Sequence, residues 1–571
     1  TLTFTDNSAS SPQVVTLTGT GVDLTASTNT LNFGNVGVLT RSAPLSVTLT
    51  NVSNVPIALT SISIGGVADY ADFAQRNNCP NVLLANATCT VQIVFTPTRL
   101  LKSTGSVLLV RFTTADSPLT VSLLGNGVKS ANNAVPYITQ PLVPATMVPG
   151  ASTTPSLQIS GTGFTSHSVV RWNGKNRATT FVSKRALTAA LLASDVSSST
   201  TAAVTVANPT PGGGVSNAVF LPVTSSTPLS VSRQDWPVGN NPSALVAADF
   251  NQDGNVDLAV ANTGLNTVSI LLGNGDGTFP SGATLNTGDS PSAIAAGDFN
   301  GDGRVDLIVA NTADSTLTIF TGDGKGGFTP APLISAIGAT DVVSIVVADF
   351  DGDGRLDLAV ANQSVSTISI FLGNGDATFR ITSTPALKLN RPSAISVGDF
   401  NGDGVPDLAI ANRAGNTITI AQGRGDGTFT GLGGTIITGA APASIGIADF
   451  NGDGFQDLAV ANKGSNSISI FPGNGNGTFK NAISYSAGAA PNAIAIGDLN
   501  GDGFLDLVTA NGGSDSISVL LGTGGGSFQA QTIFSTNSGP QSLVIADFNR
   551  NGKLDVAVPD SAVSSVSVLS Q

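Results

Sequence analysis

The residues most able to do chemistry sit in one short loop pattern. The series Asp-Phe-Asn-x-Asp-Gly-x-x-Asp, followed by an apolar run such as Leu-Ala-Val-Ala-Asn, occurs seven times with small variations. Its first Asp falls at 249, 298, 349, 399, 449, 498 and 547, so the steps are 49, 51, 50, 50, 49 and 49 residues. Alternate residues of a tight loop aim their oxygens at one centre, and calcium takes roughly six to eight oxygens from carboxylates, amides, carbonyls and water. Loop positions 1, 3, 5 and 9 are typically Asp, Asn, Asp and Asp, and position 6 is always Gly, which allows the sharp bend. Position 7 varies, as suits a residue that offers only its backbone carbonyl. The spacing is that of the start of an EF-hand loop, but the twelfth place of the first copy is Val260 rather than Glu, and the flanks read as strands.

The candidate metal ligands follow copy by copy. They are Asp249, Asn251, Asp253, Asn255 and Asp257; Asp298, Asn300, Asp302, Arg304 and Asp306; Asp349, Asp351, Asp353, Arg355 and Asp357. They continue with Asp399, Asn401, Asp403, Val405 and Asp407; Asp449, Asn451, Asp453, Phe455 and Asp457; Asp498, Asn500, Asp502, Phe504 and Asp506. The last set is Asp547, Asn549, Asn551, Lys553 and Asp555. Asp351 adds a charge to the third set, whereas Asn551 removes one from the seventh and makes it the weakest. The plainer reading is that Asp and Asn merely cap turns. Three convergent carboxylates repel one another without a cation, which favours calcium, one ion per copy. Charge agrees: Lys and Arg total 24 against 37 acids, a net of −13, and seven Ca²⁺ would bring it to about +1.

A period near 50 residues is that of a four-stranded propeller blade. In the copy near Ala443, strands are predicted at Ile445 to Phe450, Leu458 to Ala461 and Ser467 to Ile470. A glycine-rich hairpin turn at Gly473 to Gly477 and a weaker fourth strand after Phe479 complete it. No segment of the repeat has a helical apolar period. The last copy stops at Leu569 after its third strand, while Gln234 to Gly239 has the form of a fourth strand before the first copy. The early strand therefore completes the last blade, closes the ring and removes both sheet edges. Residues 229–571 read as a seven-bladed β-propeller.

Upstream, residues 23–128 alternate short strands and turns in the manner of a β-sandwich. Residues 1–22 end in Thr18-Gly19-Thr20-Gly21-Val22, much as the next domain ends in Leu124-Gly125-Asn126-Gly127-Val128. They read as the tail of a preceding domain, and the chain as part of something longer. The only cysteines, Cys79 and Cys89, suit either one short disulfide in an exported protein or two buried thiols. No apolar run approaches the roughly 20 residues of a membrane span, and no signal peptide opens the chain.

Three stretches resemble known families. Asp-Phe-Asn-Gly-Asp-Gly-x-x-Asp-Leu-Ala-Val-Ala-Asn followed by Leu-Gly-Asn-Gly-Asp-Gly-Thr-Phe resembles the FG-GAP/VCBS repeat, which builds the integrin α-chain propeller and many bacterial surface proteins. The resemblance covers about 229–571 and implies calcium held by loop positions 1, 3, 5 and 9 with the carbonyl of 7. Leu31-Asn32-Phe33-Gly34, Val47 to Asn51 and Cys89 to Pro97 resemble Ig-like repeats of choice-of-anchor-D type. Residues 133–225 resemble an IPT/TIG domain, also Ig-like, through Ile159 to Phe164, Val170 to Gly174 and Val206 to Pro209. The latter two imply rigid spacers without chemistry. The fold class is thus all-β: a seven-bladed propeller preceded by two Ig-like β-sandwich domains.

All 37 acids are Asp, so paired Glu catalysts are absent; the single His167 lies in the IPT-like segment and reads as surface or structural. Short repetitive loops leave no insertion to build a deep pocket. Clustered Lys and Arg for nucleic acid are missing. Sugar binding wants exposed aromatic platforms, but aromatics are 5% of the chain and those of the repeats read as core, with Trp236 packing in the closing blade. Arg424-Gly425-Asp426 stands where other copies have Asn-Gly-Asp and reads as a turn more than an adhesive tripeptide. Asn262, Asn311, Asn362, Asn412, Asn462 and Asn511 end the second strands, as turn caps or as a polar ring on one face. The chain reads as a secreted or cell-surface calcium-binding module for adhesion or protein binding, non-catalytic and monomeric within a longer chain. A calcium-dependent glycan-binding propeller is the alternative.

Overall fold

A computed structural model describes residues 2–4, 13–15, 23–37, 42–66, 70–97, 102–114, 117–128, 133–150, 155–210, 212–334, 341–382 and 387–571. Regular structure among them is all β apart from two short 3-10 turns, Tyr70–Asp72 and Ala193–Val196. Two compact units form, Thr1–Ala131 and Asn132–Gln571.

In the first unit, Leu2–Phe4 pairs with Gln13–Val15; the rest of 1–22, and with it the reading as a preceding domain's tail, lies outside the described residues. Two sheets follow. One orders Leu24–Ala26, Leu45–Asn51, Thr88–Phe95 and Phe73–Asn77; the other orders Thr30–Gly37, Leu119–Val128, Lys102–Phe112, Ile57–Gly66 and Val82–Leu83. Alternation along the strands places Val47, Leu49, Val91 and Ile93 of one sheet against Leu108, Val110, Val121 and Leu123 of the other in one core. Cys79 and Cys89 are joined in a disulfide.

The second unit begins with two sheets around Leu157, Ile159, Trp172 and Val204. It continues with seven four-stranded sheets. The first orders Pro242–Ala248, Asp257–Asn262, Thr267–Leu271 and Ser281–Asn286, and the next five repeat that plan from Pro291, Val342, Pro392, Pro442 and Pro491. The seventh consists of Val544–Ala546, Asp555–Asp560 and Ser565–Ser570, with Ser232–Pro237 supplying its fourth strand. Trp236 stands opposite Val566, so the displaced strand lies where the sequence placed it. Each first strand packs on the next, and Val544–Ala546 packs back on Pro242–Ala248, closing a ring. Second strands such as Asp257–Asn262 are buried along their whole length, which is why they read as unbroken apolar runs rich in Ala.

Aromatic pairs join neighbouring sheets. The Phe at loop position 2 packs edge-on against the Phe of the following sheet's hairpin, as in Phe250–Phe328, Phe299–Phe379, Phe350–Phe429, Phe400–Phe479 and Phe450–Phe528, at 5.4–5.8 Å. Phe548 makes the same contact with Phe279 across the closure at 5.5 Å. The sixth sheet has Leu499 in that place and no ring pair. At about 0.5–1.5 kcal/mol each beyond buried area, six pairs add roughly 3–9 kcal/mol to the ring. Trp236 lies edge-on to Phe279 at 5.9 Å, in the same closing core.

Candidate metal centres

Each loop connects a sheet's first strand to its second, and the local structure repeats. The position-1 carboxylate accepts the amides of its own turn: Asp249 Oδ1 takes Asp253 N at 3.1 Å and Oδ2 takes Gly254 N at 2.9 Å. Position 3 accepts the position-5 amide, as in Asp253 N to Asn251 Oδ1 at 3.0 Å, and position 5 accepts from position 7, as in Asn255 N to Asp253 Oδ1 at 2.7 Å. Gly254, at φ 85°, makes the bend. Position-7 side chains differ: Phe455 and Phe504 are exposed, whereas Arg304 and Arg355 turn back to pair with the position-5 carboxylates Asp302 and Asp353 at 2.5 and 3.4 Å.

Position 9 is the buried end of the site. Asp257, Asp306, Asp357, Asp407, Asp457, Asp506 and Asp555 are all fully buried. One oxygen of each accepts the position-2 amide, for example Phe250 N to Asp257 Oδ2 at 2.8 Å, and the other accepts an amide sixteen residues on, such as Gly273 N at 2.8 Å. In the seventh sheet Gln571 N fills that role for Asp555 at 2.9 Å. None of the seven makes a salt bridge among the described residues. Burial, with the neighbouring loop carboxylates adding, pushes Asp257, Asp306 and Asp457 up to about 6. It pushes Asp407 and Asp555 up to about 7, Asp506 up to about 8, and Asp357 well above the carboxylate range.

The third loop is the most acidic. Asp349, Asp351 and Asp353 are the one set of three acidic side chains among the described residues whose ligand oxygens all lie within 4.8 Å of one another. Desolvation and mutual repulsion push Asp349 up to about 7 and Asp353 up to about 8. The seventh loop, by contrast, turns Asn551 Nδ2 away to the Gln571 carbonyl at 2.7 Å. The donor set, carboxylates, side-chain amides and carbonyls without His or Cys, is that of a hard cation and fits calcium.

Loops are also tied across sheets. The carbonyl of loop position 2 accepts an amide from the next hairpin: Gly477 N to Phe400 O is 2.7 Å, and Gly277 N to Phe548 O, across the closure, is 3.0 Å.

A further set of residues reaches the loops from 133–225. Val135 N donates to Asp349 Oδ2 at 2.8 Å, the Thr146 hydroxyl donates to Asp498, and Arg185 Nε lies 2.8 Å from Asp399 Oδ2. The Thr201 hydroxyl lies beside Asp547 without completing a hydrogen bond. Reading the sequence missed these contacts, because Val135, Thr146, Arg185 and Thr201 share no spacing with the repeat. The same segment bounds a cavity of about 320 Å³, walled by Tyr137, Asn217 and Ala218 and by Val346, Val397, Ile447 and Ile496 of four first strands. The cavity arises where the segment meets the first strands of the ring.

Other singled-out residues take structural places. Asn262 is fully buried and donates to Thr267 Oγ1 at 3.1 Å and Ser269 Oγ at 2.9 Å, and its five counterparts are likewise buried. Asp426 accepts from its own turn's Thr428 at 2.6 and 3.0 Å. Tyr485 packs edge-on to Phe528 and accepts its amide at 3.2 Å. His167 is exposed and contacts Ser166 at 3.2 Å.

Comparison with known proteins bears on this arrangement. The family model described as FG-GAP-like repeat matches six overlapping stretches, 249–309, 298–360, 349–410, 399–460, 449–509 and 498–558, together more than half of the chain. No curated protein matches the chain by sequence. Solved structures similar to it include BBS1N in complex with ARL6DN, 15% identical with a TM-score of 0.44, covering 59% of this chain and 95% of that one. A putative 6-phosphogluconolactonase from Bacteroides uniformis is 18% identical with a TM-score of 0.43, covering 60% and 93%. The Pseudomonas aeruginosa periplasmic gluconolactonase PpgL is 17% identical with a TM-score of 0.42, covering 60% and 94%. At this distance none of them carries a substrate or a partner over.

Proposed function

The chain belongs to the FG-GAP-like repeat family, and on that premise we propose that residues 229–571 are a seven-bladed β-propeller binding calcium in its loops. The module is secreted or on the cell surface and serves adhesion or protein binding without catalysis. Residues 23–128 and 133–225 are its Ig-like spacers, resembling choice-of-anchor-D and IPT/TIG domains.

One observation carries the calcium reading. Seven fully buried position-9 carboxylates, each joined by further acids of its loop, form no salt bridge among the described residues; Arg304, Arg355 and Arg185 pair instead with Asp302, Asp353 and Asp399 of the second, third and fourth loops, and the first, fifth, sixth and seventh loops have no such pair among the described residues. Burying anions is costly unless a cation compensates. Positions 1, 3, 5 and 9 with the position-7 carbonyl would hold that ion, and the ion would supply a divalent charge that draws the four sides of the loop together. Against catalysis, 229–571 contains no His and no Cys. Against a sugar platform, the Phe rings of loop position 2, Phe250 and Phe350 among them, are buried, and the exposed loop rings are the two at position 7, Phe455 and Phe504; this favours a protein ligand. A glycan and protein array probed with the whole chain, in calcium and in chelator, tests the reading. Calcium-dependent capture of protein ligands supports it, capture of glycans alone converts it to a lectin, and binding indifferent to chelator refutes the role of the metal.

A further inference from the structure

The position-1 carboxylates divide into two groups. Asp349, Asp399, Asp498 and Asp547 are buried, at 2–6% exposure, whereas Asp249, Asp298 and Asp449 stay half-buried. The buried four are those reached by 133–225. Its Val135 amide and Thr146 hydroxyl bond Asp349 and Asp498, and its Arg185 pairs with Asp399 and donates to the Gly402 carbonyl at 3.2 Å. At the seventh loop, Thr200 N and Val223 O press so closely on Gly552 that a Cβ there would lie 2.6 and 2.9 Å from them. Thr227 N adds a bond to the Asn500 carbonyl at 2.9 Å.

We propose that the segment 133–225 is a metal-linked cover for the loop face of the ring: calcium in the third and sixth loops and the seating of the segment reinforce each other, while the Arg185 guanidinium takes the cation's place in the fourth. The proposal rests on the calcium reading above. Neutral donors on a ligating carboxylate hold the anion and fix its direction, as outer-shell partners of metal ligands do. A donor aimed at Asp349 or Asp498 therefore favours the ion, and by reciprocity the ion favours the donor's seat. Arg185 differs because it brings its own positive charge to Asp399, and a divalent ion in that loop meets a like charge at close range. By what 133–225 brings to position 1, the seven loops thus form three classes: open at Asp249, Asp298 and Asp449; covered with a neutral donor at Asp349 and Asp498, with Asp547 covered by packing alone; and paired with Arg185 at Asp399, the one loop whose position-1 carboxylate meets a guanidinium among the described residues, since Arg304 and Arg355 pair with position 5 of their own loops.

The test uses the full chain. Amide hydrogen exchange at Val135 is measured in saturating calcium and in chelator, and calcium binding is titrated calorimetrically for the parent, Thr146→Val, Thr146→Ser and Arg185→Gln. Calcium should slow Val135 exchange by about tenfold or more. Thr146→Val should weaken one site by about 10–100-fold, Thr146→Ser should restore it, and Arg185→Gln should strengthen or add one site. A chain that binds calcium but exchanges Val135 at the same rate with and without it overturns the cover. Titration of Arg185→Gln indistinguishable from the parent overturns the assignment of the fourth loop. A chain that takes up no calcium at all overturns the calcium reading itself, and this proposal with it.

Discussion

Asp560 ends the second strand of the closing sheet, where the other six sheets have Asn262, Asn311, Asn362, Asn412, Asn462 and Asn511. It is fully buried, and burial, with the Asp235 carboxylate nearby, pushes it up to about 7; Ser567 and the more distant Arg233 pull the other way. The Ser567 hydroxyl lies 2.6 Å from Asp560 and 2.8 Å from Asp235, and can donate to only one of them; Asp560 Oδ1 has no partner. Asp235 itself is paired with Arg233 at 3.3 Å. In the sixth sheet the Asn511 amide donates to Ser516 at 3.3 Å and Ser518 at 2.8 Å. Asp560→Asn recreates that arrangement toward Ser565 and Ser567. The folded-state value lies above the unfolded one of about 3.9. The stabilisation carried by the protonated carboxyl is therefore complete below about pH 4 and is lost as pH rises through about 7. A rise of about three units corresponds to about 4 kcal/mol as an upper bound above pH 8. Thermal unfolding of parent and variant at equal saturating calcium, near pH 4.5 and near pH 8, reads the effect. The variant should gain about 2–4 kcal/mol at the higher pH and little at the lower. A difference that does not change with pH, or a less stable variant near pH 8, refutes the reasoning.

Further outcomes follow from the same geometry. Chelation should destabilise the chain: at about 1 mM free calcium and Kd near 10⁻⁴–10⁻³ M, each occupied site adds roughly 0.4–1.4 kcal/mol, and unchanged melting in chelator would remove the metal assignment. Asn551→Asp should strengthen the seventh site and Asp453→Asn should weaken the fifth to match it; calorimetric titration showing equal affinity at the native fifth and seventh sites would mean that the position-5 charge does not set binding. Phe548→Leu, which copies Leu499 of the sixth sheet, should cost about 1–2 kcal/mol in denaturant melts by breaking the ring pair with Phe279. A neutral result would show that leucine packs the closure as well as the ring does.

Much of this architecture was legible in one dimension because the repeat imposes it locally. A loop of alternating oxygens around an invariant Gly, a second strand without polar interruptions and a period near 50 residues each follow from neighbours in sequence, and seven copies in phase leave little freedom. The displaced strand was legible for the same reason: Trp236 and its neighbours match a piece missing after Leu569. What stands outside the repeat was not. Nothing near Asp399 announces Arg185, and nothing near Asp349 announces Val135, because each partner lies more than 200 residues away and takes part in no periodic pattern. Chain composition determined that this protein would carry acidic loops suited to a hard cation. Only the packing of 133–225 against the ring decided which of those carboxylates are buried, which receive a neutral donor and which meet a positive charge, since desolvation and counter-charge are properties of what surrounds a residue in space.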